Sequence, residues 1–206
     1  MEIVKKHFKD LNAVQLNQLE HMKMLYEEWN SKINVISRKD IEHFYMHHVL
    51  HSLAICHLDL IKENTEVLDV GTGGGFPGIP LAIYYPQASF TLVDSISKKI
   101  KVVNEVASAL ELSNVIAIQE RMENIDQSFD LIISRAVASA LQLIKWTSKS
   151  LKKKGAFVFI KGGNLEEEKQ SVLQFYPQGK WTEYELKGWF SDSFFETKKL
   201  VVFKKS

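Results

Sequence analysis

The residues with the clearest chemical signature lie in a glycine-rich segment in the first half of the chain. A short apolar run that ends in Asp69 and Val70 is followed by four glycines within the five positions 71–75. Glycine is needed where the backbone adopts a positive φ or must approach a ligand closely. A second apolar run ends in Asp94, and an acid ~20 residues after a glycine turn can accept hydrogen bonds from both hydroxyls of a ribose. This order of strand, glycine turn, helix, strand and acid predicts a site for an adenosine-containing cofactor.

The glycine segment also discriminates between classes of adenosine cofactor. Its members Gly73, Gly75 and Gly78 satisfy the dinucleotide fingerprint G-x-G-x-x-G. In that fingerprint, however, the first glycine directly follows the strand, and here that position belongs to Gly71. The carboxylate of Asp69 would repel a pyrophosphate, whereas it suits the methionine ammonium of S-adenosylmethionine. We therefore predict S-adenosylmethionine, with a dinucleotide and a purely structural turn as the alternatives.

The elements that must position these residues follow an alternating pattern. Helical spacing of apolar residues predicts helices over 14–30 and 40–57, the second with Asp40 able to cap it. Beyond them the predicted strands are 66–70, 89–94, 115–118, 129–134 and 156–161, and the predicted helices are 77–85, 97–111 and 139–151. A helix over 165–175 and strands over 180–186 and 199–203 follow. Strict alternation is typical of a parallel sheet with helices on both faces, which the last two strands would finish with one antiparallel strand.

The composition of the 206 residues bounds the class of protein. Hydrophobic residues make up 45% and charged residues 25%, which is ordinary for a globular protein that can bury a core. No apolar run approaches the ~20 residues of a membrane span, and lysines interrupt the start of the chain where a signal peptide would be apolar. A single cysteine, Cys56, excludes an internal disulfide and a thiolate metal cluster. We expect a cytoplasmic monomer with a helical extension over 1–62 and a cofactor-binding domain over 63–206, packed as one unit.

Several segments resemble one methyltransferase family. The matching segments are 34–38, 48–52, 67–82, 91–95, 129–138, 161–162 and 200–202. In them the chain is similar to the RsmG (GidB) family, which methylates guanine N7 in bacterial small-subunit ribosomal RNA; the turn G-x-G-F-P-G-I-P and the segment S-R-A-V-A are distinctive of it. The resemblance implies an α/β, Rossmann-like class I methyltransferase fold, with a mostly parallel seven-stranded sheet, helices on both faces and an N-terminal helical extension. It also implies S-adenosylmethionine as cofactor and 16S ribosomal RNA, within the small ribosomal subunit, as partner.

The resemblance further implies a set of cofactor contacts: Gly71, Phe76, Met122, Glu123 and Arg135. To these the ribose argument adds Asp94. Gly71 would let the backbone approach the methionine part, and the two apolar side chains would face adenine, with Glu123 at its amino edge. Arg135 is the catalytic candidate, as a positioning residue at the carboxyl end of the fourth strand, where open α/β sheets build their sites.

The implied reaction needs no proton transfer. Guanine N7 carries an in-plane lone pair and is nucleophilic at neutral pH, so no general base is required and the absence of a catalytic dyad is expected. The task is to hold N7 in line with the methyl carbon and the sulfur, and positioning alone can supply ~7–11 kcal/mol. The alternatives are a methyltransferase acting on a small molecule, with the N-terminal helices as its lid, and a scaffold protein without catalysis.

Contacts to RNA must come from local patches, because the net charge of +1 lacks the basic excess of most nucleic-acid binders. The candidates are Arg38, His48 and Lys161, and local packing and pairing is an equal alternative for the first two. The lysines at 98, 99, 101 and 152–154 are typical of solvated helix ends, with phosphate binding as the alternative.

Histidines recur every fourth residue at His43, His47 and His51. No carboxylate or fourth ligand joins them in the pattern, so a partly exposed helix surface is favoured over a metal site, and we predict no metal. His51 stands where the resembling family has aspartate, and Lys198 and Lys199 replace its arginine–histidine, which leaves the RNA contacts of these positions open. Trp146 and two later tryptophans lack a spacing that suggests base stacking and stay unassigned.

Overall fold

A mostly parallel sheet forms the centre of the molecule. The computed structural model describes residues 1–37 and 39–205, and within them seven strands pair in the order β3-β2-β1-β4-β5-β7-β6. The strands are β1 Glu66–Val70, β2 Ser89–Asp94, β3 Val115–Gln119, β4 Phe129–Arg135, β5 Leu151–Gly162, β6 Lys180–Glu185 and β7 Lys198–Lys204. The pairings are parallel except those of β7, which runs antiparallel to β5 and β6. The predicted sheet with one antiparallel strand is confirmed.

Helices cover both faces of the sheet, as predicted. They are α1 Glu2–His7, α2 Ala13–Lys32, α3 His51–Leu53, α4 Gly78–Tyr84, α5 Ser97–Ala109, α6 Ala140–Thr147 and α7 Glu166–Phe175. Side chains of α1, α2, α4 and α5 pack into the core on one face, and those of α6 and α7 pack into the core on the other. The short helix α1 lies where the sequence predicted no element. In the described part of the chain, no helix combines the length and the apolar composition needed to cross a bilayer.

The strand order creates a crevice beside β1. The chain builds outward from β1 to β2 and β3, and then crosses to the other side of β1 to form β4. The loops that follow β1 and β4 therefore diverge, and open α/β sheets bind their ligands at this point, outside the carboxyl ends of the strands. β1 is buried on both faces, since Val67 belongs to one core and Leu68 and Val70 to the other.

The segment that the sequence predicts as one helix over 40–57 is composite. It consists of a 3₁₀ turn Ile41–His43, a π-helix Phe44–Leu50, the single turn α3 and a second 3₁₀ turn Ala54–Leu58. The eight residues from His48 to Ile55 are all buried, whereas a regular helix on a core keeps one face exposed. Asp40 gives no side-chain cap here, because its carboxylate instead contacts His47 and His48. The predicted cap is therefore wrong.

Buried polar contacts join the N-terminal helices to the sheet. The side-chain amide of Gln15 on α2 donates to the carbonyls of Ile83 and Tyr84 at the end of α4, both at 3.0 Å. Tyr26, also on α2, is fully buried, and its hydroxyl donates to the carbonyl of Gly74. The glycine segment after β1 therefore rests directly on α2.

The lysine-rich stretch before residue 156 is strand rather than helix. The sequence predicts a helix over 139–151, but α6 ends at Thr147 and β5 already starts at Leu151. The ammonium of Lys152 lies 2.5 Å from the carboxylate of Glu66 on β1 and 3.0 Å from that of Asp130 on β4. These partners are distant in sequence, which explains why the local pattern mispredicts the boundary.

Gly78, the first residue of α4, is expected to tolerate no larger side chain. A Cβ at this position would lie 2.7 Å from Cγ of Leu92 and 2.8 Å from Oδ2 of Asp69, both of which are buried. We expect Gly78→Ala to lower the free energy of unfolding by about 1–3 kcal/mol, the usual cost of overpacking a core, as measured by urea denaturation. Gly188→Ala is the matched control, because a Cβ there meets no described atom within 4 Å. Equal losses in the two variants would contradict the close packing.

Candidate functional site

A cleft of about 570 Å³ opens at the carboxyl ends of β1, β2 and β4. Its lining residues are 71–74, Phe76, 93–96, Lys99, 120–123 and 135–137, with Val35 and Trp146. The six residues predicted to contact the cofactor all line it: Gly71, Phe76, Asp94, Met122, Glu123 and Arg135. Because each of them ends or follows a parallel strand, the strand order brings them together. Their contact with a cofactor stays a prediction.

The glycine segment makes a sharp turn directly after β1. Three of its residues adopt the left-handed backbone conformation, with φ of 68° at Gly71, 59° at Gly73 and 96° at Gly75. A Cβ on Gly71 would lie 2.5 Å from a methyl group of Val137. The turn therefore requires glycine at Gly71 for both conformation and space. At Gly73 a Cβ would meet no described atom within 4 Å, so a ligand can approach the backbone closely there.

Asp69 lies inside the glycine segment rather than on the cleft wall. The residue is fully buried, and its Oδ2 accepts from the hydroxyl of Thr72 at 2.7 Å and from the amide of Gly78 at 2.9 Å. The Gly78 amide is one of the free donors at the start of α4, so Asp69 connects β1 to that helix. The expectation that this carboxylate meets the ammonium of the cofactor is therefore wrong.

The buried carboxyl of Asp69 predicts a pH dependence. Burial raises its pKa from the ordinary value of 3.8 to about 7, against the hydrogen bonds from Thr72 and Gly78 and the charge of Arg135. Between these two values the folded state binds the proton more tightly than the unfolded state, so the contribution of Asp69 to stability falls as the pH rises. We expect Asp69→Asn to gain free energy of unfolding relative to wild type as the pH rises from about 4 to about 7.

Urea denaturation at several pH values measures the free energy of unfolding of wild type and of Asp69→Asn. In the difference between the two proteins, the titration of groups that both share cancels. Asp59→Asn serves as the control, because the side chain of Asp59 is 81% exposed. A difference between Asp69→Asn and wild type that does not change with pH would contradict a proton on Asp69.

Asp94 ends β2 with its carboxylate on the cleft wall. Its Oδ2 accepts from the amide of Gly73 at 3.0 Å, and its Oδ1 accepts from the amide of Ile96 at 2.9 Å. The ammonium of Lys99 lies 3.6 Å from Oδ2. Each carboxylate oxygen has a second lone-pair site, so the group can accept further hydrogen bonds from a ligand. The backbone amides thus fix an acceptor whose remaining sites suit the two hydroxyls of a ribose.

Arg135 is held on the opposite wall by the composite segment. Its guanidinium donates to the carbonyl of His47 at 3.3 Å, lies 3.2 Å from Nδ1 of His48 and is 5.1 Å from the ring centre of Phe76. Burial lowers the pKa of Arg135 to about 10, although the charges of Asp69 and Asp40 oppose this. The guanidinium therefore stays protonated at neutral pH and gives the cleft a fixed positive charge.

The ring of His48 connects Arg135 to Asp40. A guanidinium has only donors, so Nδ1 of His48 must accept and the ring proton must sit on Nε2. Nε2 then donates to Oδ2 of Asp40 at 2.5 Å. Burial, followed by the charge of Arg135, lowers the pKa of His48 to about 4, which keeps the ring neutral. The orientation of Arg135 thus depends on the chain Asp40–His48–Arg135.

Two of the predicted contacts lie on the 3₁₀ turn Met122–Asn124 that follows β3. Met122 packs against the core below α6, and the side chain of Glu123 is 37% exposed, 3.8 Å from a guanidinium nitrogen of Arg121. An apolar side chain and an acid thus stand side by side at the rim of the cleft. Their predicted roles at the face and the amino edge of adenine fit this placement.

Several residues of the cleft were not among those predicted to form the site; they include Val35, Ile96, Lys99, Val137 and Trp146. Ile96 and Val137 are exposed apolar side chains, and each lies two positions after a predicted site residue, a spacing that could have revealed them. Trp146 reaches the cleft from α6 and Val35 from the turn after α2. Both come from elements remote from the glycine segment, and no local signal marks them.

The RNA candidates differ in what the structure shows of them. Both ring nitrogens of His48 have protein partners, and the residue is buried. The ammonium of Lys161 donates to the carbonyl of Ala138 and to Glu168, both at 2.8 Å. An RNA phosphate that bound His48 or Lys161 would have to displace these hydrogen bonds. For His48, the alternative of local packing and pairing is therefore favoured. Arg38 lies outside the described residues.

The histidine face predicted on the second helix is only partly exposed. His43 is exposed, His47 is half-buried, and His51 is buried, with no described hydrogen-bond partner for its Nε2. Burial lowers the pKa of His51 to about 3, so its ring is neutral. On β7, Lys199 is paired with Glu183 at 2.8 Å.

The residues present fit an adenosine-type cofactor. The open backbone at Gly73 permits close approach, and Asp94 offers acceptors for a ribose. Phe76, Ile96 and Trp146 add apolar surface on which a purine ring can lie. The pyrophosphate of a dinucleotide would bring further negative charge near Asp94. The ammonium of Lys99, which lies beside the Asp94 carboxylate, would weaken the resulting repulsion. The glycines nevertheless do not occupy the positions, relative to β1, that the pyrophosphate-binding fingerprint requires, as the sequence indicates.

Comparisons with known proteins agree with this arrangement. A family model described as GidB, rRNA small subunit methyltransferase G, matches residues 15–180. The chain is 52% identical over 207 aligned residues to the ribosomal RNA small subunit methyltransferase G of Flavobacterium psychrophilum, covering 98% of this chain and 96% of that protein. Among solved structures it is similar to a ribosomal protein L11 methylase from Lactobacillus delbrueckii subsp. bulgaricus, with a TM-score of 0.59 and 16% identity over 76% of this chain and 77% of that one.

A second similar structure is the Streptococcus mutans protein SMU.1697c in complex with SAH, with a TM-score of 0.53 and 16% identity over 75% of this chain and 98% of that one. At this level of identity the two structures speak for the fold alone. They confirm the predicted Rossmann-like class I methyltransferase fold.

Proposed function

Because the chain belongs to the GidB family, rRNA small subunit methyltransferase G, we propose that it transfers a methyl group from S-adenosylmethionine to N7 of a guanine in 16S ribosomal RNA. The observation that carries this proposal is the cleft beside β1, where the bare glycine backbone, the carboxylate of Asp94 and the guanidinium of Arg135 converge. The relatives, which are named for ribosomal RNA, support the substrate, and the small ribosomal subunit is its expected context.

The residues that line the cleft support a proposed place for each part of the cofactor. Asp94 would accept hydrogen bonds from the ribose hydroxyls, and Gly71 would admit the methionine part close to the end of β1. Phe76 and Met122 offer apolar surface to adenine, with Glu123 at the rim for its amino group. When bound, S-adenosylmethionine supplies an electrophilic methyl group.

The cleft supports a transfer without a general base. The lone pair of guanine N7 is free at neutral pH, so no proton has to leave before the new bond forms. His48 is the imidazole in contact with Arg135, and both of its ring nitrogens are occupied, so it serves position rather than proton transfer. What remains for the chain is the alignment of the reacting groups, which can supply ~7–11 kcal/mol.

Methyl transfer to purified small ribosomal subunits that lack the modification tests the proposal. With radiolabelled S-adenosylmethionine we expect label in 16S RNA, and reduction followed by aniline treatment should cleave the RNA at the N7-methylated guanine. Label at another atom of the RNA would refute the N7 assignment. Label only in small metabolites would refute the RNA substrate and favour a small-molecule methyltransferase.

A further inference from the structure

Three aromatic rings form a stack beside the cleft. The ring centres of His43 and His47 are 4.7 Å apart with planes inclined by 29°, and those of His47 and Phe194 are 3.9 Å apart with planes inclined by 15°. His47 is thus the shared member of a near-parallel group, here called the ring stack. His43, its outer member, is exposed. The ring stack therefore presents an aromatic surface to solvent.

Contacts on several sides hold the ring stack in place. Nδ1 of His47 lies 2.5 Å from Oδ1 of Asp40, and the carbonyl of His47 accepts from Arg135. The buried ring of His51 meets Phe194 edge-on, with the ring centres 5.2 Å apart. Because these side chains are already ordered, a ligand that stacks on them has little ordering entropy to overcome.

The ring stack adjoins the cleft and carries positive charge on both sides. Arg135, which bonds to His47, lines the cleft itself. On the other side, the ammonium of Lys198 lies 5.0 Å from the ring centre of Phe194. Asp40 is the acid in direct contact with the ring stack, and two histidines already engage its carboxylate. This combination of aromatic surface and cations complements a polyanion with exposed bases.

We propose that the exposed face of His43 stacks against an unpaired base of the RNA substrate, close in sequence to the guanine that enters the cleft. This contact rests on the proposed function, since it concerns the same substrate. Proteins that bind single-stranded RNA commonly combine aromatic stacking with cationic side chains along the backbone. Here the ring stack supplies the aromatic face, and Lys198 supplies a cation within reach of the phosphates.

The experiment compares His43→Ala, His43→Phe and the control His21→Ala, with unmodified small ribosomal subunits as the probe. His21 is an exposed histidine on α2 that lies beside residues 109–111, the far end of α5. We expect His43→Ala to raise the KM for subunits by about tenfold or more, the size of a lost base stack, with kcat nearly unchanged. His43→Phe should restore KM, and His21→Ala should leave both constants unchanged.

Two binding measurements complete the experiment. Calorimetry should give the same Kd for S-adenosylmethionine in all variants, and filter binding to subunits should rank them as KM does. An unchanged KM in His43→Ala, an equally weak His43→Phe, or a loss of cofactor binding in His43→Ala would each overturn the stacking contact. A wild-type protein that methylates no RNA would refute the proposed function instead, and equal filter binding by wild type and His43→Ala would then overturn the contact on its own.

Discussion

Replacing Arg135 with alanine is expected to lower the rate of methyl transfer by about 100-fold, because a misplacement of the reacting groups by ~1 Å can have an effect of that size. The guanidinium contacts Phe76 and the carbonyl of His47 at once, and so holds one wall of the cleft against the composite segment. Its loss frees Phe76 from this support and removes a fixed positive charge from the cleft. Initial rates with small ribosomal subunits measure the effect, and a thermal melt checks that the variant is folded.

Arg121→Ala is the matched control for this experiment. Arg121 also lines the cleft, but its side chain is 75% exposed and lies 3.8 Å from Glu123, so we expect a small effect on the rate. Arg135→Lys keeps the charge but cannot make both contacts to His47 and His48, and should recover only part of the rate. Full activity in Arg135→Ala would contradict the positioning role.

Asp94→Ala is expected to weaken the binding of S-adenosylmethionine by about 100-fold, since hydrogen bonds to a charged group contribute ~1.5–3 kcal/mol each and two ribose hydroxyls would lose their acceptor. The substitution also leaves the amides of Gly73 and Ile96 without their acceptor, which loosens the glycine segment. Calorimetry with wild type and variant measures the change in Kd.

Asp94→Asn distinguishes the loss of the ribose contact from the loss of the hydrogen bonds that hold the glycine segment. The amide oxygen can still accept from one backbone amide, but the side chain no longer offers two acceptors to a ribose. Weak cofactor binding at an unchanged melting temperature would support the ribose contact. Asp59→Ala, at a carboxylate that is 81% exposed, is the control and should bind as wild type does. An unchanged Kd in both Asp94 variants would contradict the assignment.

The strands that build the site could be predicted because their signals are local. β1 and β2 occupy the predicted ranges from end to end, since each is an apolar run buried in the centre of the sheet and bounded by turns. Once such strands are parallel, the residues after them must meet at one edge of the sheet. For that reason Asp94 could be placed in the cleft from its position, whereas Met122 and Arg135 entered the predicted site through the family resemblance, which their positions after β3 and at the end of β4 support.

The different environments of Asp69 and Asp94 show where prediction from the sequence ends. Both acids lie at the carboxyl end of a central strand, yet Asp69 binds Thr72 and Gly78 inside the loop while Asp94 lines the cleft. Successive side chains of a strand point to opposite faces, so one position decides between these environments. Which face receives the returning helix depends on the path of the loop, and the strand pattern does not contain that information.

The composite segment was mispredicted for a related reason. A helix predicted from apolar spacing presumes one buried and one exposed face, but this segment is enclosed by α1, Phe76 and the 3₁₀ turn Ser193–Phe195. Besides Asp40, the partners of His47 and His48 include Arg135 and Phe194, which follow more than 80 residues later. Such contacts become visible only when the whole chain is folded.

The hydrogen bond from the hydroxyl of Tyr26 to the carbonyl of Gly74 affects what truncation experiments on this protein would show. A truncated fragment that begins at residue 63 would lose this donor and the helix under the loop, and would bare apolar groups such as Ile79. It would then fail to take up the methyl donor even though, of the side chains that line the cleft, only Val35 is missing. Deletion mapping would therefore misassign the cleft to the N-terminal helices, and only substitutions of single residues can tell the two apart.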